Sequence, residues 1–236
     1  MILLLISISS SYLQGFLDHT YQITTAPFRF RSEDWSIAVI IGANFLYLYN
    51  LDEDIISIVP EATPLDLAAD LVRPWGEPRY LPLPIAGLFL YGNLKKDSKL
   101  IRASLASFES LVISSLLTVT LKYLCHRHRP PAGPYNQWDG PSLVHEHLSF
   151  PSGHAATSFA VFTTFARVYQ DRPVVSLSCY TIAGLISLFR IYDREHWPSD
   201  IYIGSLIGLI TARTVMGDMK GLEIGLGRLG LRIVTF

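Results

Sequence analysis

Three short stretches of the chain concentrate the side chains that phosphoryl chemistry needs. The first runs from Lys122 through Cys125-His126-Arg127-His128 to Arg129 and Pro130, the second is Pro151-Ser152-Gly153-His154, and the third runs from Arg190 through His196 to Asp200. Lys122, Arg129 and Arg190 are three cations, and guanidinium forks with a point charge are the natural partners of a tetrahedral dianion such as phosphate. Pro151-Ser152-Gly153 reads as a helix start with Ser152 as N-cap, where free backbone N–H groups add an anion site at the positive end of a helix dipole. His196 lies four residues before Asp200, and Pro198 is placed to open a helix. In that geometry Asp200 reaches back to one ring nitrogen of His196, fixes its tautomer and leaves the other free as a nucleophile. His154, at the head of a different helix, is then placed to protonate a leaving alcohol. Three cations can neutralise the equatorial oxygens of an in-line transition state, so this chemistry needs no metal and no cofactor.

Positioning these groups falls to an apolar chain. Of 236 residues, 50% are hydrophobic and 17% charged, against about 25% charged in a typical soluble domain. That composition reads as a helical membrane protein with one main domain. A net charge of −1 leaves no basic field for a nucleic-acid backbone, which excludes nucleic acid as a partner. Two cysteines, Cys125 and Cys179, cannot make a disulfide framework or a four-thiolate zinc site.

Six apolar stretches are candidate spans: Trp35 to Asn50, Leu81 to Leu94, Ala103 to Tyr123, His154 to Tyr169, Val174 to Phe189 and Asp200 to Met216. Several are shorter than the roughly 20 residues of a perpendicular span, a length that a soluble helical core would also show. With six alternating spans, four basic groups fall on one side: Arg29 with Arg31, Lys95 to Arg102, Arg167 with Arg172, and Arg213 to Arg232. Short cytoplasmic loops are enriched in Lys and Arg, so the three chemical clusters face the opposite, outer side. Residues 1–34 form an N-terminal segment, its first 16 residues readable as a signal peptide, an interfacial helix or a cropped start. Residues 35–216 form the helical domain. The tail, 217–236, alternates loosely as extended chain does.

In order and spacing the three clusters match Lys-x6-Arg-Pro, Pro-Ser-Gly-His and Arg-x5-His-x3-Asp, and in these the chain resembles the type 2 phosphatidic acid phosphatases. That family is the membrane branch of a superfamily that includes bacterial class A acid phosphatases and vanadium haloperoxidases. Phe189 stands where the family usually has Ser, which removes a hydroxyl contact but no charge. The resemblance implies an all-α, polytopic six-helix membrane bundle with its site near the outer leaflet. It also implies that His196 forms a phosphohistidine, that Asp200 orients it, and that His154 is the general acid and later activates water. Lys122, Arg129, Ser152, Gly153 and Arg190 then bind phosphate. The partners implied are a lipid phosphate or pyrophosphate and the lipids of a bacterial-type inner membrane, with the site facing the periplasm. The alternatives are a soluble periplasmic acid phosphatase, a lipid phosphotransferase and a non-catalytic lipid-phosphate binding protein.

The remaining ionisable groups receive plainer readings. Arg127 and Arg129 interleave with His126 and His128, and His145 and His147 form a second His-x-His pair. The arginines repel a cation, so the expectation is head-group contact from the Arg127 to His147 loop rather than zinc. Glu109, inside the third span, is read as interfacial or paired, and Phe159, Phe162 and Phe165 as packing or lipid contact.

Overall fold

The computed structural model describes residues 10–60, 66–218, 222–227 and 230–235. Within them are eight α-helices: α1 Ser10–Thr25, α2 Ser32–Ser57, α3 Asp66–Val72, α4 Pro82–Lys95, α5 Ser98–Cys125, α6 Gly153–Val168, α7 Pro173–Tyr192 and α8 Pro198–Asp218. A short 3-10 turn, Arg73–Gly76, links α3 towards α4. Strands β1 (Leu222–Gly227) and β2 (Gly230–Thr235) pair antiparallel from Leu222 with Thr235 to Gly227 with Gly230, in keeping with the extended tail.

Helix ends follow local chemistry. Lys96 closes α4 in the left-handed conformation at φ 56°, and the Asp97 carboxylate accepts the Leu100 N–H at 3.0 Å to cap α5. This two-residue turn makes α4 and α5 antiparallel neighbours. Ser152 caps α6, accepting the Ala155 N–H at 3.4 Å, while Pro173 and Pro198 open α7 and α8. Six of the helices, α2 and α4 to α8, coincide with the six apolar stretches to within a few residues, apart from the seven residues by which α2 extends its stretch. Helix α1 was not among them, because Asp18, His19 and its threonines hide its pattern. It is tied instead by tertiary contact, with His19 Nδ1 2.5 Å from Glu109 Oε1 on α5 and both groups buried. Glu109 is therefore the paired carboxylate expected.

Helix α6 is central and packs on α5, α7 and α8, with α4 on α5 and α2 on α8. The interior is small and polar. Ser104, Ser107, Ser110, Ser114 and Thr118 on α5 and Thr157, Ser158, Thr163 and Thr164 on α6 are all buried, and the Thr164 hydroxyl reaches that of Ser110 at 3.3 Å. Several hydroxyls return to their own helix, Ser104 to the Leu100 carbonyl at 2.9 Å and Thr164 to Ala160 at 2.8 Å. Large apolar side chains such as Ile40, Leu116, Val119, Leu188 and Ile210 point outward. Small residues inside and large apolar ones outside is the arrangement of helices packed in lipid. By length and composition, α5 and α7 are each long and apolar enough to cross a membrane.

The closest helix packing lies between α6 and α8. A β-carbon at Gly204 would come within 2.4 Å of the Ser152 carbonyl oxygen, and one at Gly208 within 2.3 Å of that of Ala156. Glycine at both positions, one turn apart, puts the two backbones in contact. The alternation of helices then gathers the C-terminal ends of α2, α5 and α7 and the N-terminal ends of α6 and α8 at one pole. At the other pole the basic α4–α5 turn meets the α6–α7 connection, where Lys99 Nζ lies 2.5 Å from Asp171 Oδ1.

Candidate active site

Each chemical cluster sits at a helix end of the first pole. Lys122, in the last turn of α5, donates its ammonium to the carbonyls of Leu148 and, at 3.3 Å, of Ser149. Helix α5 stops at His126, whose left-handed backbone (φ 43°) turns the chain so that Arg129 comes back over the pole. Arg190, in the last turn of α7, is buried and donates to Asp193 Oδ2 at 3.0 Å. Arg129 donates to Glu195 Oε2, and Arg190 Nη2 approaches the same oxygen at 3.6 Å. One carboxylate oxygen is thus held between two of the cations expected to bind phosphate. Ser152 and Gly153 start α6, whose first-turn amides point at this end of the bundle. The Ser152 N–H donates to the Asp200 carbonyl at 3.1 Å, which joins the α6 cap to α8.

His154 and His196 complete the arrangement. His154, the second residue of α6, has Nε2 3.3 Å from Glu77 Oε2. Glu77 follows the 3-10 turn, which is pinned by a 2.6 Å hydrogen bond from the Thr157 hydroxyl to the Gly76 carbonyl. A β-carbon at Gly76 would meet Ile186 Cγ2 at 2.4 Å and His154 Cδ2 at 3.2 Å, so a glycine there lets the turn lie on α6 and α7 together. His196 lies in the loop between α7 and α8, buried, with Nδ1 3.7 Å from Asp200 Oδ2. That is ion-pair range and longer than a hydrogen bond.

Residues 103–222, which carry all three clusters in this geometry, match the PAP2 superfamily. The chain belongs to the PAP2 superfamily. Among curated relatives, the lipid A 1-phosphatase of Porphyromonas gingivalis is 41% identical over 63 residues, 26% of this chain and 14% of that protein. The lipid phosphate phosphatase 2 of Arabidopsis thaliana is 27% identical over 223 residues, 78% of this chain and 75% of that protein. Among solved structures, the transmembrane PAP2 type phosphatidylglycerolphosphate phosphatase of Bacillus subtilis superposes with a TM-score of 0.52 at 24% identity. That likeness covers 76% of this chain and 94% of that one. The fold is therefore the all-helical PAP2-type transmembrane fold.

Electrostatics at the PAP2 site keep the His196 ring neutral. Burial pushes its pKa down to about 3, Asp200 works against that, and Lys122 and Arg129 add to the downward shift. An exposed histidine titrates near 6.5, so the unfolded chain takes up this proton first. The stability gained by keeping the ring neutral is complete above about pH 6.5 and is lost as pH falls towards 3. Thermal unfolding in detergent from about pH 8 to about pH 4 should show a steeper loss of stability for the native chain than for His196→Gln. Equal slopes would refute this account.

The structure adds partners to Asp200 and corrects the head-group reading of the Arg127 to His147 loop. Asp200 does not spend its carboxylate on His196 alone. Oδ1 accepts from Arg127 at 2.6 Å, and Oδ2 accepts from the Ser149 hydroxyl at 2.6 Å and from the Trp197 N–H at 3.1 Å. Arg127, expected among the head-group contacts, is instead fully buried and donates to Asp52 Oδ2 at 2.6 Å. His126 is buried too, its ring nitrogens 3.1 and 2.9 Å from the carbonyls of Tyr123 and Val144. His128 lies 2.8 Å from Asp139 through Nε2 and stacks on His147 at 3.5 Å. Their ligating atoms and that of Asp139 lie within 4.8 Å of one another. Glu77, Glu195, Asp52 and the structural role of Arg127 were missed from sequence. Arg127 and Glu195 lie inside the first and third clusters and Asp52 opens the acidic run Asp52-Glu53-Asp54, but none of these signals names its partner.

Proposed function

We propose that the protein is a metal-independent lipid phosphate phosphatase working through a phosphohistidine at His196. The observation that carries this is a buried His196 with the Asp200 carboxylate 3.7 Å from Nδ1, at the same pole as Lys122, Arg129, Arg190 and the start of α6. The names of the relatives, a lipid A 1-phosphatase and a lipid phosphate phosphatase, support a lipid substrate.

In the proposed cycle Lys122, Arg129, Arg190, the Ser152 hydroxyl and the Gly153 amide hold the phosphate, which displaces Glu195 from Arg129 and Arg190. Because Asp200 lies at Nδ1, Nε2 of His196 is the attacking atom. The Nε2–P bond forms, the bond from phosphorus to the lipid oxygen breaks, and His154 gives its proton to that oxygen. In the second half His154 takes a proton from water, the hydroxide attacks phosphorus, and the Nε2–P bond breaks to release phosphate. Charge on the transferring group is met by the three side-chain cations, so no ion is required. The basic pole marked by Lys95, Lys96, Lys99 and Arg172 would face the cytoplasm, which puts the site at the outer leaflet and residues 35–216 in the role of phosphatase domain.

The test is phosphate release by detergent-purified protein in EDTA, across undecaprenyl pyrophosphate, phosphatidic acid, phosphatidylglycerophosphate, a lipid A phosphate and soluble p-nitrophenyl phosphate. Release from lipids that survives EDTA is expected. Release from the soluble ester alone, by protein that a carbonate wash leaves in the supernatant, would overturn the membrane reading in favour of a soluble acid phosphatase. No release from any of them would point to transfer or binding.

A further inference from the structure

Behind His196 lies a second layer of charge that the proposed cycle has not used. Asp52, Arg127 and Asp200 are each fully buried, on α2, on the loop after α5 and on α8. The Arg127 guanidinium donates to Asp200 Oδ1 and Asp52 Oδ2, both at 2.6 Å, to the Ser199 hydroxyl at 2.7 Å and to the Tyr135 carbonyl at 2.9 Å. The rings of Tyr49 and Trp138 lie 4.9 Å from its central carbon, and that of Trp197 lies 5.5 Å away. Asp52 also accepts the Ser199 N–H at 2.9 Å and its hydroxyl at 2.5 Å. Asp52 lies outside the stretch that matches the superfamily.

One carboxylate neutralises one buried guanidinium, yet two are supplied here. A third charge taken from water costs several kcal/mol unless something compensates it. Asp52, Arg127 and Asp200 together carry one net negative charge, and Asp200 presents it 3.7 Å from His196 Nδ1. When Nε2 bonds to phosphorus with Nδ1 still protonated, the ring becomes cationic. That cation forms in a dry pocket which Lys122, Arg129 and Arg190 already make positive. With Asp52 present, the group of ring and three side chains passes from minus one to neutral. Without it, Arg127 cancels Asp200 and the cationic ring has no counter-charge.

We propose that Asp52, acting through Arg127, is a positioning residue that keeps the charge of Asp200 available to the phosphohistidine. This rests on the phosphohistidine reading above. Asp52→Asn preserves shape and removes the charge. It should lower kcat for lipid phosphate by about a hundredfold, the scale of losing one preorganised electrostatic contact. The inhibition constant of inorganic phosphate, which reports the cradle, should stay within about threefold. The double variant Asp52→Asn, Arg127→Gln restores one net negative charge on Asp200 alone. It should recover at least about tenfold of the lost kcat, a rescue that a merely structural role would not produce.

His196→Ala serves as the control in the same preparation. If His196→Ala still turns over, the phosphohistidine reading itself fails. If His196→Ala is dead while Asp52→Asn keeps native kcat, or the double variant is slower than the single one, the role assigned to Asp52 is overturned alone. A double variant too unstable to assay is replaced by quenched-flow measurement on Asp52→Asn. Slowed phosphoenzyme formation supports the proposal there, and unchanged formation overturns it.

Discussion

His196→Ala should lose phosphate release from lipid substrates by at least about ten-thousand-fold, the scale on which a covalent nucleophile fails when removed. Binding of inorganic phosphate to the same variant, read by equilibrium dialysis, should be nearly unchanged. The two expectations separate because Lys122, Arg129 and Arg190 are held by partners other than His196. Lys122 is on the Leu148 and Ser149 carbonyls, Arg129 on Glu195, and Arg190 on Asp193 and Glu195. Truncating a buried imidazole leaves a small void beside Asp200, but Asp200 keeps Arg127, Ser149 and the Trp197 amide as donors. The local frame therefore survives and the chemistry does not. Turnover retained in this variant would sink the phosphohistidine mechanism.

The second large effect belongs to His154 and depends on the substrate. A lipid alcohol is a poor leaving group and needs a proton as its bond to phosphorus breaks, whereas p-nitrophenolate departs as a stable anion. For His154→Ala, kcat on lipid phosphates should fall by about a hundred- to ten-thousand-fold, the usual range for a general acid. For p-nitrophenyl phosphate, phosphoenzyme formation should slow by about tenfold or less. Breakdown of the phosphoenzyme should slow for both substrates, since His154 also takes the proton from water. Rapid-quench kinetics on the two substrates read these steps apart. Equal losses in the first step would show that His154 acts on phosphate binding and not on the leaving oxygen.

Much of this site was legible in the sequence because its parts are local. Ser152 as cap, Pro198 as helix opener and the His196 to Asp200 spacing each lie within one turn of chain, and six of the helices announce themselves as apolar runs. What was not legible depends on distance along the chain. Asp52 and Arg127 are separated by 75 positions, and Glu77 and His154 are brought together by packing of the Gly76 turn on α6. No period or motif links such pairs. Arg127 alternates with histidines in a loop and reads as solvated, yet it is fully buried because two carboxylates and three rings surround it. Helix α1 was obscured for the same reason, since a polar stripe becomes intelligible only once Glu109 is seen to receive His19.

Under the proposed function, the glycine contact between α6 and α8 bears on how the site can take lipids of different size. With Gly204 against the Ser152 carbonyl and the Ser152 amide bonded to the Asp200 carbonyl, the anion cradle and the carboxylate behind the nucleophile form one rigid block. A bulkier or smaller substrate cannot be accommodated by parting these helices without disturbing the alignment of attack. Under the proposed function, differences in lipid size would therefore have to be met outside this block, and outside α2 as well, since Asp52 ties α2 to Arg127 and Ser199.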